Sequence, residues 1–406
     1  MQLRVYVAPC GIGLGHITRC EPIANMLATN GVEVVYSTYS DGLDYARKRG
    51  LRTLPTVPIG FAVKEDGTVD FKMTAATSGF SLGVRRFLRQ VTAEIRNIKR
   101  FRPQVVLSDT RASSLIAAKL LGVPVALMLN QFRVEIIKKP STGRITPIER
   151  LFFLIANISW TLFRTIIGGV WARSDLMLIP ELPPPYTISA SNLTIPKRYQ
   201  EKVKLIGPIV PVEPSGLPNQ DALKASLSFD SRKPLIYAAV SGPKTERTVL
   251  SGLLSRYLGQ FPSEYEVALS RGEPAGSSAP VRNGNLTIYD WVDDQYELLK
   301  AADVVICRAG HGMMMKAMTL GKPMMLIPIP DHTEQYGNAR RACKLGLAEL
   351  VPQKEVTTER LLDATRILLK TKTAKTQEFR RTTAGTDAVK AATRYVMDLA
   401  AKSRFS

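Results

Sequence analysis

Short apolar runs with β-strand character alternate with amphipathic helical stretches along almost the whole chain. Four such runs fall in the first part of the sequence, at residues 3–8, 32–37, 105–108 and 123–129. Apolar strands that alternate with helices are typical of parallel sheets that are covered by helices on both faces. The alternation therefore predicts an α/β fold.

A proline-rich stretch at residues 206–219 interrupts this alternation and predicts a linker between two domains. A second series follows, with β-runs at residues 234–240, 265–270, 286–289, 303–307 and 323–329. A chain of 406 residues accommodates two domains of roughly 200 residues each. We expect two doubly wound Rossmann-like domains that face each other across a cleft, residues 1–208 and 209–406, with the last helix packing back on the first domain.

The chain is strongly basic, with 55 Lys and Arg against 35 Asp and Glu and a formal net charge of +20. An excess of this size favours an anionic partner. The basic residues form two clusters: Arg85, Arg86, Arg89, Arg96, Lys99, Arg100 and Arg102, and then Lys138, Lys139, Arg144 and Arg150. No aromatic-rich RNA-binding strand or zinc-finger spacing accompanies them, so an anionic membrane surface ranks above nucleic acid as the partner.

Residues 151–171 form an apolar stretch of 21 residues with a single charge, Arg164. The length would permit a membrane span, but polar residues interrupt the stretch and the α/β series resumes directly after it. The prediction is an interfacial or membrane-dipping helix. A buried core helix and a true span are the alternatives.

The four cysteines are scattered without CxxC spacing, which favours reduced side chains over a disulfide or metal framework. The sequence begins with a β-run and not with a cleavable apolar leader. Together with the basic clusters, these features predict a peripheral or monotopic protein on the cytoplasmic face of the cell membrane. Neither a cofactor nor a metal is predicted, because no DxD or His/Cys/carboxylate cluster is evident.

A glycine loop, Gly11-Ile12-Gly13-Leu14-Gly15, follows the first predicted strand and ends in His16 at the start of a helical pattern. Glycines permit a tight turn and bring backbone N–H groups to a helix amino terminus, where phosphate binds. A dinucleotide-binding loop would carry glycine in place of His16 and an acid after the second strand. NAD binding is therefore only a distant alternative.

His16 is one of three histidines, and a neutral imidazole suits the removal of a proton from a sugar hydroxyl. Asp109 ends another predicted strand, and its carboxylate would orient the imidazole and stabilise its cation. The alternatives are a structural histidine at a helix start and an aspartate that caps a helix. The pattern predicts a catalytic dyad of His16 and Asp109.

The segment 301–347 carries an ordered set of motif residues: Arg308, Gly310, Gly321, Pro323, Glu334, Gln335, Asn338 and Ala339. Their order and spacing resemble the donor-binding motif of GT-B glycosyltransferases, especially family 28 and, for Asp109, the related family 1. Residues 11–16, 124–131 and 241–243 resemble the acceptor-side glycine loop, the strand with its polar loop, and the donor-phosphate loop. The resemblance covers nearly the whole chain and implies a nucleotide-sugar glycosyltransferase.

The second half supplies the predicted donor site. Gly310, His311 and Gly312 would form a helix-start site for the donor diphosphate, while Glu334 and Gln335 would read sugar hydroxyls. The other predicted donor contacts are Ser241, Gly242, Lys244, Arg247, Arg308 and, by resemblance, Val292 against the base. For Lys244 and Arg247 a solvated surface is the alternative. By resemblance, the acceptor-binding residues are Gly13, Gly15, Asn130 and Gln131.

Lys316 departs from the family pattern. The ribose-binding glutamate that the resemblance implies falls at this position. A carboxylate accepts hydrogen bonds from both ribose hydroxyls, whereas an ammonium has no lone pair to offer. Either another group reads the ribose or the preferred nucleotide is atypical, and uridine is the prediction.

These features predict an inverting, metal-independent transfer with His16 as the general base. By resemblance, N-acetylglucosamine moves from UDP-N-acetylglucosamine to a sugar on a polyprenyl (di)phosphate, as in the lipid-linked oligosaccharide assembly of protein N-glycosylation. The expected partners are the nucleotide sugar, the lipid-linked acceptor and an anionic membrane, without nucleic acid. The alternatives are a diacylglycerol glycosyltransferase, a nucleotide-sugar 2-epimerase and a non-catalytic membrane subunit.

Overall fold

The computed structural model describes residues 2–59, 80–130, 132, 165–190, 193 and 195–402. A first sheet of six parallel strands has the order β2-β1-β3-β4-β5-β6. Its strands are β1 (Arg4–Pro9), β2 (Glu33–Tyr36), β3 (Val105–Asp109), β4 (Val125–Met128), β5 (Leu176–Ile179) and β6 (Val203–Leu205). We call the residues up to β6 the first half.

Helices cover both faces of this sheet: α1 (Gly15–Thr29), α2 (Ser40–Lys48), α3 (Phe80–Phe101) and α4 (Ala112–Leu120). Residues 165–171 are also helical. Side chains of β1 alternate, so that Val5 and Val7 enter one buried cluster and Tyr6 and Ala8 enter the cluster on the opposite face. This period of two is the pattern that buries a strand between two helical layers.

A second sheet of seven strands has the order β13-β12-β11-β7-β8-β10-β9, and only β9 runs antiparallel to its neighbour. Its strands are β7 (Leu235–Ala239), β8 (Glu266–Ser270), β9 (Val281–Asn283), β10 (Leu286–Tyr289), β11 (Val304–Cys307), β12 (Met324–Leu326) and β13 (Ala348–Leu350). We call the part of the chain from α5 to α11 the second half.

The second half carries the helices α5 (Gln220–Ser226), α6 (Lys244–Leu258), α7 (Gln295–Ala301), α8 (His311–Thr319), α9 (Thr333–Lys344), α10 (Thr358–Ile367) and α11 (Thr373–Thr383). Leu235, Tyr237 and Ala239 of β7 enter one core cluster, and the residues between them enter the other. The structure thus has two α/β units with mostly parallel sheets, as the alternation of the sequence predicts.

The chain crosses between the two units at more points than the linker. A last helix, α12 (Ala388–Lys402), packs on α1 and contributes Val389 and Val396 to the core of the first half. In the other direction, Leu182 and Ile188 follow β5 and lie in a core cluster of the second half. A domain boundary at residues 208/209 stays a prediction.

Most of the apolar stretch at 151–171 lies outside the described residues, which begin again at Thr165. Trp171 is buried in the core of the first half, with its ring centroid 6.2 Å from that of Phe132. This end of the stretch therefore packs inside the protein, although Ile166 is exposed. None of the helices in the described part of the chain is long and apolar enough to cross a bilayer.

Candidate functional site

The glycine loop lies at the carboxyl ends of β1 and β3, where Pro9 pairs in register with Asp109. Gly11 packs so closely on α2 that a Cβ atom there would lie 2.0 Å from the Tyr39 carbonyl oxygen. No other residue fits at this position without moving the backbone. The loop then enters α1, which places His16 in the first turn of the helix, close to Asp109.

His16 and Asp109 form the predicted dyad contact. The Nδ1–H of His16 donates to Asp109 Oδ1 at 2.8 Å, because an ionised carboxylate only accepts. This assigns the free lone pair to Nε2 of the imidazole, whose side chain is one quarter exposed. Burial alone would raise the pKa of Asp109, but the charges of Arg19 and His16 hold that pKa well below its usual range.

Arg19 is a third member of this cluster that was not among the predicted site residues. Its guanidinium donates two parallel hydrogen bonds to Asp109, from Nε to Oδ2 at 2.5 Å and from Nη2 to Oδ1. Nη2 also lies 3.2 Å from His16 Nδ1. Arg19 stands one helical turn after His16, and residues three apart share a helix face. A basic residue at that spacing was the available signal.

Asn130 and Glu334 meet across the cleft. Asn130 accepts a hydrogen bond from Arg19 Nη1 at 3.2 Å, and its own Nδ2 donates to Glu334 Oε1 at 3.0 Å. The structure therefore brings one predicted acceptor residue together with one predicted donor residue. Gln131 lies outside the described residues.

The glycine loop of the first half contacts the loop at residues 241–243 of the second half. Gly13 has φ of +68°, and a Cβ atom there would lie 3.3 Å from the Gly242 carbonyl carbon. The backbone N–H of Gly13 donates to Asp41 Oδ2 at 3.0 Å. Asp41 also pairs with Arg247 at 3.3 Å, and Arg247 donates to the Gly242 carbonyl at 2.6 Å. The loop of the first half and the loop of the second half are thus tied together through Asp41.

The predicted donor-phosphate contacts near Gly242 have different environments. Arg247 is fully buried and already engaged by Asp41 and Glu273. Phosphate binding by its guanidinium would therefore require it to leave these carboxylates. Ser241 is half-buried and Lys244 is exposed at the first position of α6. Their roles in donor binding stay predictions.

The amino terminus of α8 faces the cleft. Gly310 is the N-cap residue, and His311 and Gly312 are the first helical residues, as the helix-start prediction requires. The imidazole of His311 lies against Glu181, with Nε2 2.9 Å from Glu181 Oε1 at an angle poor for a hydrogen bond. Burial would raise the pKa of Glu181, yet the charge of His311 and the Ser189 contacts hold it below its usual value. The backbone N–H groups at this terminus are therefore the groups of α8 that the prediction leaves for a phosphate.

Two buried charged groups lie behind the donor-phosphate loop. Arg308 is 2% exposed, and among the described residues only its Nη1 has a partner, the Ile327 carbonyl at 3.1 Å. Burial lowers the pKa of Arg308 to about 10, and the charge of Glu246 opposes this. Burial raises the pKa of Glu246 to about 7 against the charge of Arg308. Glu246 Oε2 also has no hydrogen-bond partner in the described part of the chain.

Lys316 lines the cleft between α1 and α8, together with Gly15, Arg19 and Gly312. It is 8% exposed, and burial lowers the pKa of its ammonium to about 8. Within the described part of the chain, the ammonium contacts the ring of Tyr296, whose centroid is 5.4 Å away. A cation with no acceptor among the described residues therefore stands in the wall of the cleft.

The remaining predicted donor residues lie around the same cleft. Val292 is partly buried and follows Trp291, whose ring packs on Tyr45 of the first half. Gln335 accepts from the Ile329 N–H at 3.0 Å, so its amide nitrogen is the group left for a ligand. In the described ranges, no three His, Cys, Asp or Glu side chains come together as a metal-binding group.

Comparison with known proteins agrees with this arrangement. Residues 263–395, which contain α8, α9 and Lys316, match the glycosyltransferase family 28 C-terminal domain. A Streptomyces sp. SF2575 glycosyltransferase, solved in complex with thymidine diphosphate, superposes with a TM-score of 0.61 over 98% of this chain and 100% of that one at 15% identity. The chain is a GT-B glycosyltransferase.

Its similarity to relatives is distributed unevenly. An uncharacterised glycosyltransferase of Methanosarcina mazei is 25% identical over 351 residues, which are 84% of this chain and 82% of the relative. A UDP-N-acetylglucosamine–N-acetylmuramyl-(pentapeptide) pyrophosphoryl-undecaprenol N-acetylglucosamine transferase of Desulforamulus reducens is 36% identical over 91 residues. That match covers 22% of this glycosyltransferase and 24% of the relative.

Proposed function

We propose that this glycosyltransferase transfers N-acetylglucosamine from UDP-N-acetylglucosamine to a sugar on a polyprenyl (di)phosphate, with inversion, at an anionic membrane surface. The observation that carries the proposal is the 2.8 Å contact of His16 Nδ1 with Asp109 at the mouth of the cleft. It leaves Nε2 of a partly exposed imidazole free to act as a base.

The proposed reaction is a single displacement. His16 Nε2 removes the proton of the acceptor hydroxyl while that oxygen attacks the anomeric carbon of the donor sugar. The bond from this carbon to the diphosphate oxygen breaks, and its electron pair leaves with the nucleoside diphosphate. Asp109 stabilises the imidazolium that forms, because it stays ionised in its pairing with Arg19.

The leaving diphosphate needs positive charge, and the cleft supplies it without an added group. The amino terminus of α8 presents backbone N–H groups at Gly310, His311 and Gly312. Lys316 adds an ammonium that lacks an acceptor among the described residues. Preorganised donors of this kind stabilise developing negative charge most strongly where water is excluded. This arrangement supports a metal-independent transfer.

The identity of the sugar rests on a narrower basis. Glu334 and Gln335 begin α9 at the cleft and carry the acceptor and donor groups that sugar hydroxyls require. The Desulforamulus reducens relative, which shares 36% identity over 91 residues, is named for transfer of N-acetylglucosamine from its UDP derivative. Both observations favour the same donor for this enzyme.

The acceptor is proposed from the surface of α3. Val84 and Leu88 are exposed at 42% and 56%, and the exposed Arg85, Arg86 and Arg89 lie beside them. An amphipathic helix with basic and apolar side chains on its outer face binds anionic lipid surfaces. Attachment there would place the cleft near a lipid-linked sugar on the cytoplasmic leaflet, as in lipid-linked oligosaccharide assembly for N-glycosylation.

The test is a transfer assay with purified protein on vesicles that contain anionic lipid. Labelled UDP-, GDP- and thymidine-diphosphate sugars are offered with sugar-primed polyprenyl diphosphates, diacylglycerol, or no acceptor. We expect label in the polyprenyl fraction with UDP-N-acetylglucosamine alone. Label in diacylglycerol would identify a glycolipid synthase, and conversion of the free donor without acceptor would identify a 2-epimerase. Either result would overturn the proposed acceptor.

A further inference from the structure

All three guanidinium nitrogens of Arg19 donate hydrogen bonds within one chain of polar side chains. Nε and Nη2 hold the two oxygens of Asp109, and Nη1 donates to Asn130 Oδ1 at 3.2 Å. Asn130 continues the chain across the cleft, because its Nδ2 donates to Glu334 Oε1 at 3.0 Å. Five side chains thus connect the imidazole of the first half to a carboxylate of the second.

We propose that Arg19 is a positioning residue that aligns the His16–Asp109 pair and, through Asn130, makes this alignment depend on contact with the second half. The inference rests on His16 acting as the base in the proposed function. A planar guanidinium holds a carboxylate in two parallel bonds and so fixes its plane as well as its place. A lysine ammonium in the same place would fix only the distance to the carboxylate.

The orientation of Asp109 decides which nitrogen of His16 is free. With Oδ1 held beside Nδ1, the proton stays on Nδ1 and the lone pair stays on Nε2. If the Asp109 carboxylate could rotate, it would no longer favour one tautomer of His16. A fraction of the molecules would then carry the imidazole proton on Nε2. That fraction cannot accept a proton from the acceptor hydroxyl. Arg19 therefore acts on the reaction through the tautomer of His16.

Among the described residues, Glu334 is the one member of this chain that the second half contributes. Asn130 is buried at the end of β4, and its amide can orient Arg19 Nη1 only while its own Nδ2 has a partner. When the halves separate, Glu334 leaves and the amide is free to turn. Alignment of the base is thereby restricted to the closed cleft, where the donor is held.

Four variants test the proposal: Arg19→Met, Arg19→Lys, Asn130→Ala and the Arg19→Met/Asn130→Ala pair. A hydrogen bond to a charged group contributes about 1.5–3 kcal/mol, so Arg19→Met should lower the single-turnover rate by about 10–150-fold. Arg19→Lys should restore less than a third of that loss, because an ammonium lacks the fork. Donor Kd should stay within about threefold in the two single variants at Arg19, because Arg19 holds Asp109 and Asn130, which belong to the first half.

The double variant shows whether Arg19 and Asn130 act as one hydrogen-bonded chain or as independent contacts. Asn130→Ala alone should lower the single-turnover rate by a smaller factor of about 2–13-fold, or about 0.5–1.5 kcal/mol, because Asn130 acts on the base only through Arg19. In the Arg19→Met background it should cost less than about twofold, since its route to the base is gone. Additive losses, or full rescue by lysine, would overturn the proposal. So would a lower Tm with unchanged turnover per folded molecule.

A measurement without substrate keeps the inference distinct from the proposed function. Nitrogen-15 spectra of histidine-labelled protein report the tautomer of His16, which His16→Ala identifies among the three histidines. We expect the Nδ1–H form in the wild type and a mixture in Arg19→Met. An unchanged tautomer in that variant would overturn the positioning role. If the wild type transfers no sugar at all, the proposed function fails while this spectrum still decides the role of Arg19.

Discussion

The two sides of the cleft differ in how their buried charged groups are paired. In the first half, Asp109, Arg19 and His16 contact one another at 2.5 to 3.2 Å. In the second half, Arg308 and Glu246 each keep at least one nitrogen or oxygen without a partner in the described part of the chain.

This difference indicates which substrate completes which side. A buried charge without a hydrogen bond costs free energy, and natural structures keep such groups mainly where a ligand or a reaction uses them. The charged cluster of the first half is therefore paired without substrate, as a preorganised base would require. We expect the unpaired groups of the second half to gain partners when a ligand binds. The predictions that follow test this contrast, beginning with the largest expected effect.

Replacement of the base should have the largest effect. His16→Ala should lower turnover by about 10²–10⁴-fold, the usual contribution of a general base. Donor affinity should barely change, because the donor is bound by the other half. Asp109→Asn should cause a smaller loss of the same parameter, since it orients the imidazole. Single-turnover rates, donor Kd and Tm measured on each variant decide this. A folded His16→Ala enzyme with near wild-type turnover would remove the distinction between the two sides.

Much of the fold was predictable because strand periodicity is a local signal. The structure has a strand at each of the nine predicted β-runs, and α1 begins at the glycine loop. The missed strands lacked such a signal. β6, β9 and β13 have three residues each, and β5 follows the apolar stretch 151–171, which hides its start. These three strands pair with neighbouring strands but stand in no apolar run of the sequence, unlike β12, which is equally short and lies within the predicted run 323–329.

The dyad was predictable, while its wider network was not. His16 comes after β1 and Asp109 is the last residue of β3 in one parallel sheet, so their closeness follows from the strand ends meeting at one edge. The contact of Asn130 with Glu334 joins residues 204 positions apart in different halves. It depends on how the two units face each other, and no local pattern encodes that. The pairing of Arg247 with Asp41 has the same origin.

The second prediction compares the surfaces of the two halves. Arg85→Gln, Arg86→Gln and Arg89→Gln together should weaken binding to anionic vesicles by roughly 100-fold, at about 1 kcal/mol for each basic residue. Binding should also weaken as salt rises, because charges are screened over about 10 Å at 0.1 M. Flotation with vesicles measures both. The matched control removes the same charge from exposed positions of the second half: Arg366→Gln, Lys370→Gln and Arg381→Gln. Equal losses in the two sets would mean that α3 is not the attachment surface.

The third prediction concerns the unpaired carboxyl of the second half. Folding raises the pKa of Glu246 from 4.5 to about 7, so the folded state binds an extra proton between these values. The contribution of Glu246 to the free energy of unfolding is fully present below pH 4.5. It is lost as pH rises to about 7, by as much as about 3 kcal/mol. Glu246→Gln should remove this decline. Denaturant unfolding at pH 5 and pH 8 gives the difference between wild type and variant.

Glu33→Gln is the matched control for Glu246, because hydrogen bonds from Arg52 and Arg4 lower the pKa of Glu33 on folding and neither arginine titrates between pH 5 and pH 8. The Glu33 carboxyl is therefore ionised in both states above its unfolded value of 4.5. The loss of stability in this variant should be the same at pH 5 and pH 8. If Glu246→Gln shows the same flat difference, its carboxyl is ionised throughout and must have a partner in solution.

The smallest effect is expected at Lys316. Its ammonium stands in the cleft wall beside Arg19 and the amino terminus of α8, with the pKa lowered to about 8 by burial. A partner anion would favour the charged form again, so a nucleoside diphosphate should bind more tightly below about pH 8 than above it. Lys316→Met should weaken UDP binding by about tenfold, which corresponds to about 1.4 kcal/mol, and should flatten this dependence on pH.

Lys322→Met is the matched control for Lys316, because burial also lowers the pKa of Lys322 to about 8. The ammonium of Lys322 lies 3.4 Å from Gln220 Oε1, away from the cleft-lining residues. It should leave UDP binding unchanged. Lys316→Glu decides which part of the nucleotide the side chain meets. Beside the diphosphate, a carboxylate repels the ligand and binding should fall further than in Lys316→Met. Beside the ribose, a carboxylate accepts from both hydroxyls, and calorimetry would then find UDP binding retained or improved. That result would move Lys316 from the phosphates to the sugar of the nucleotide.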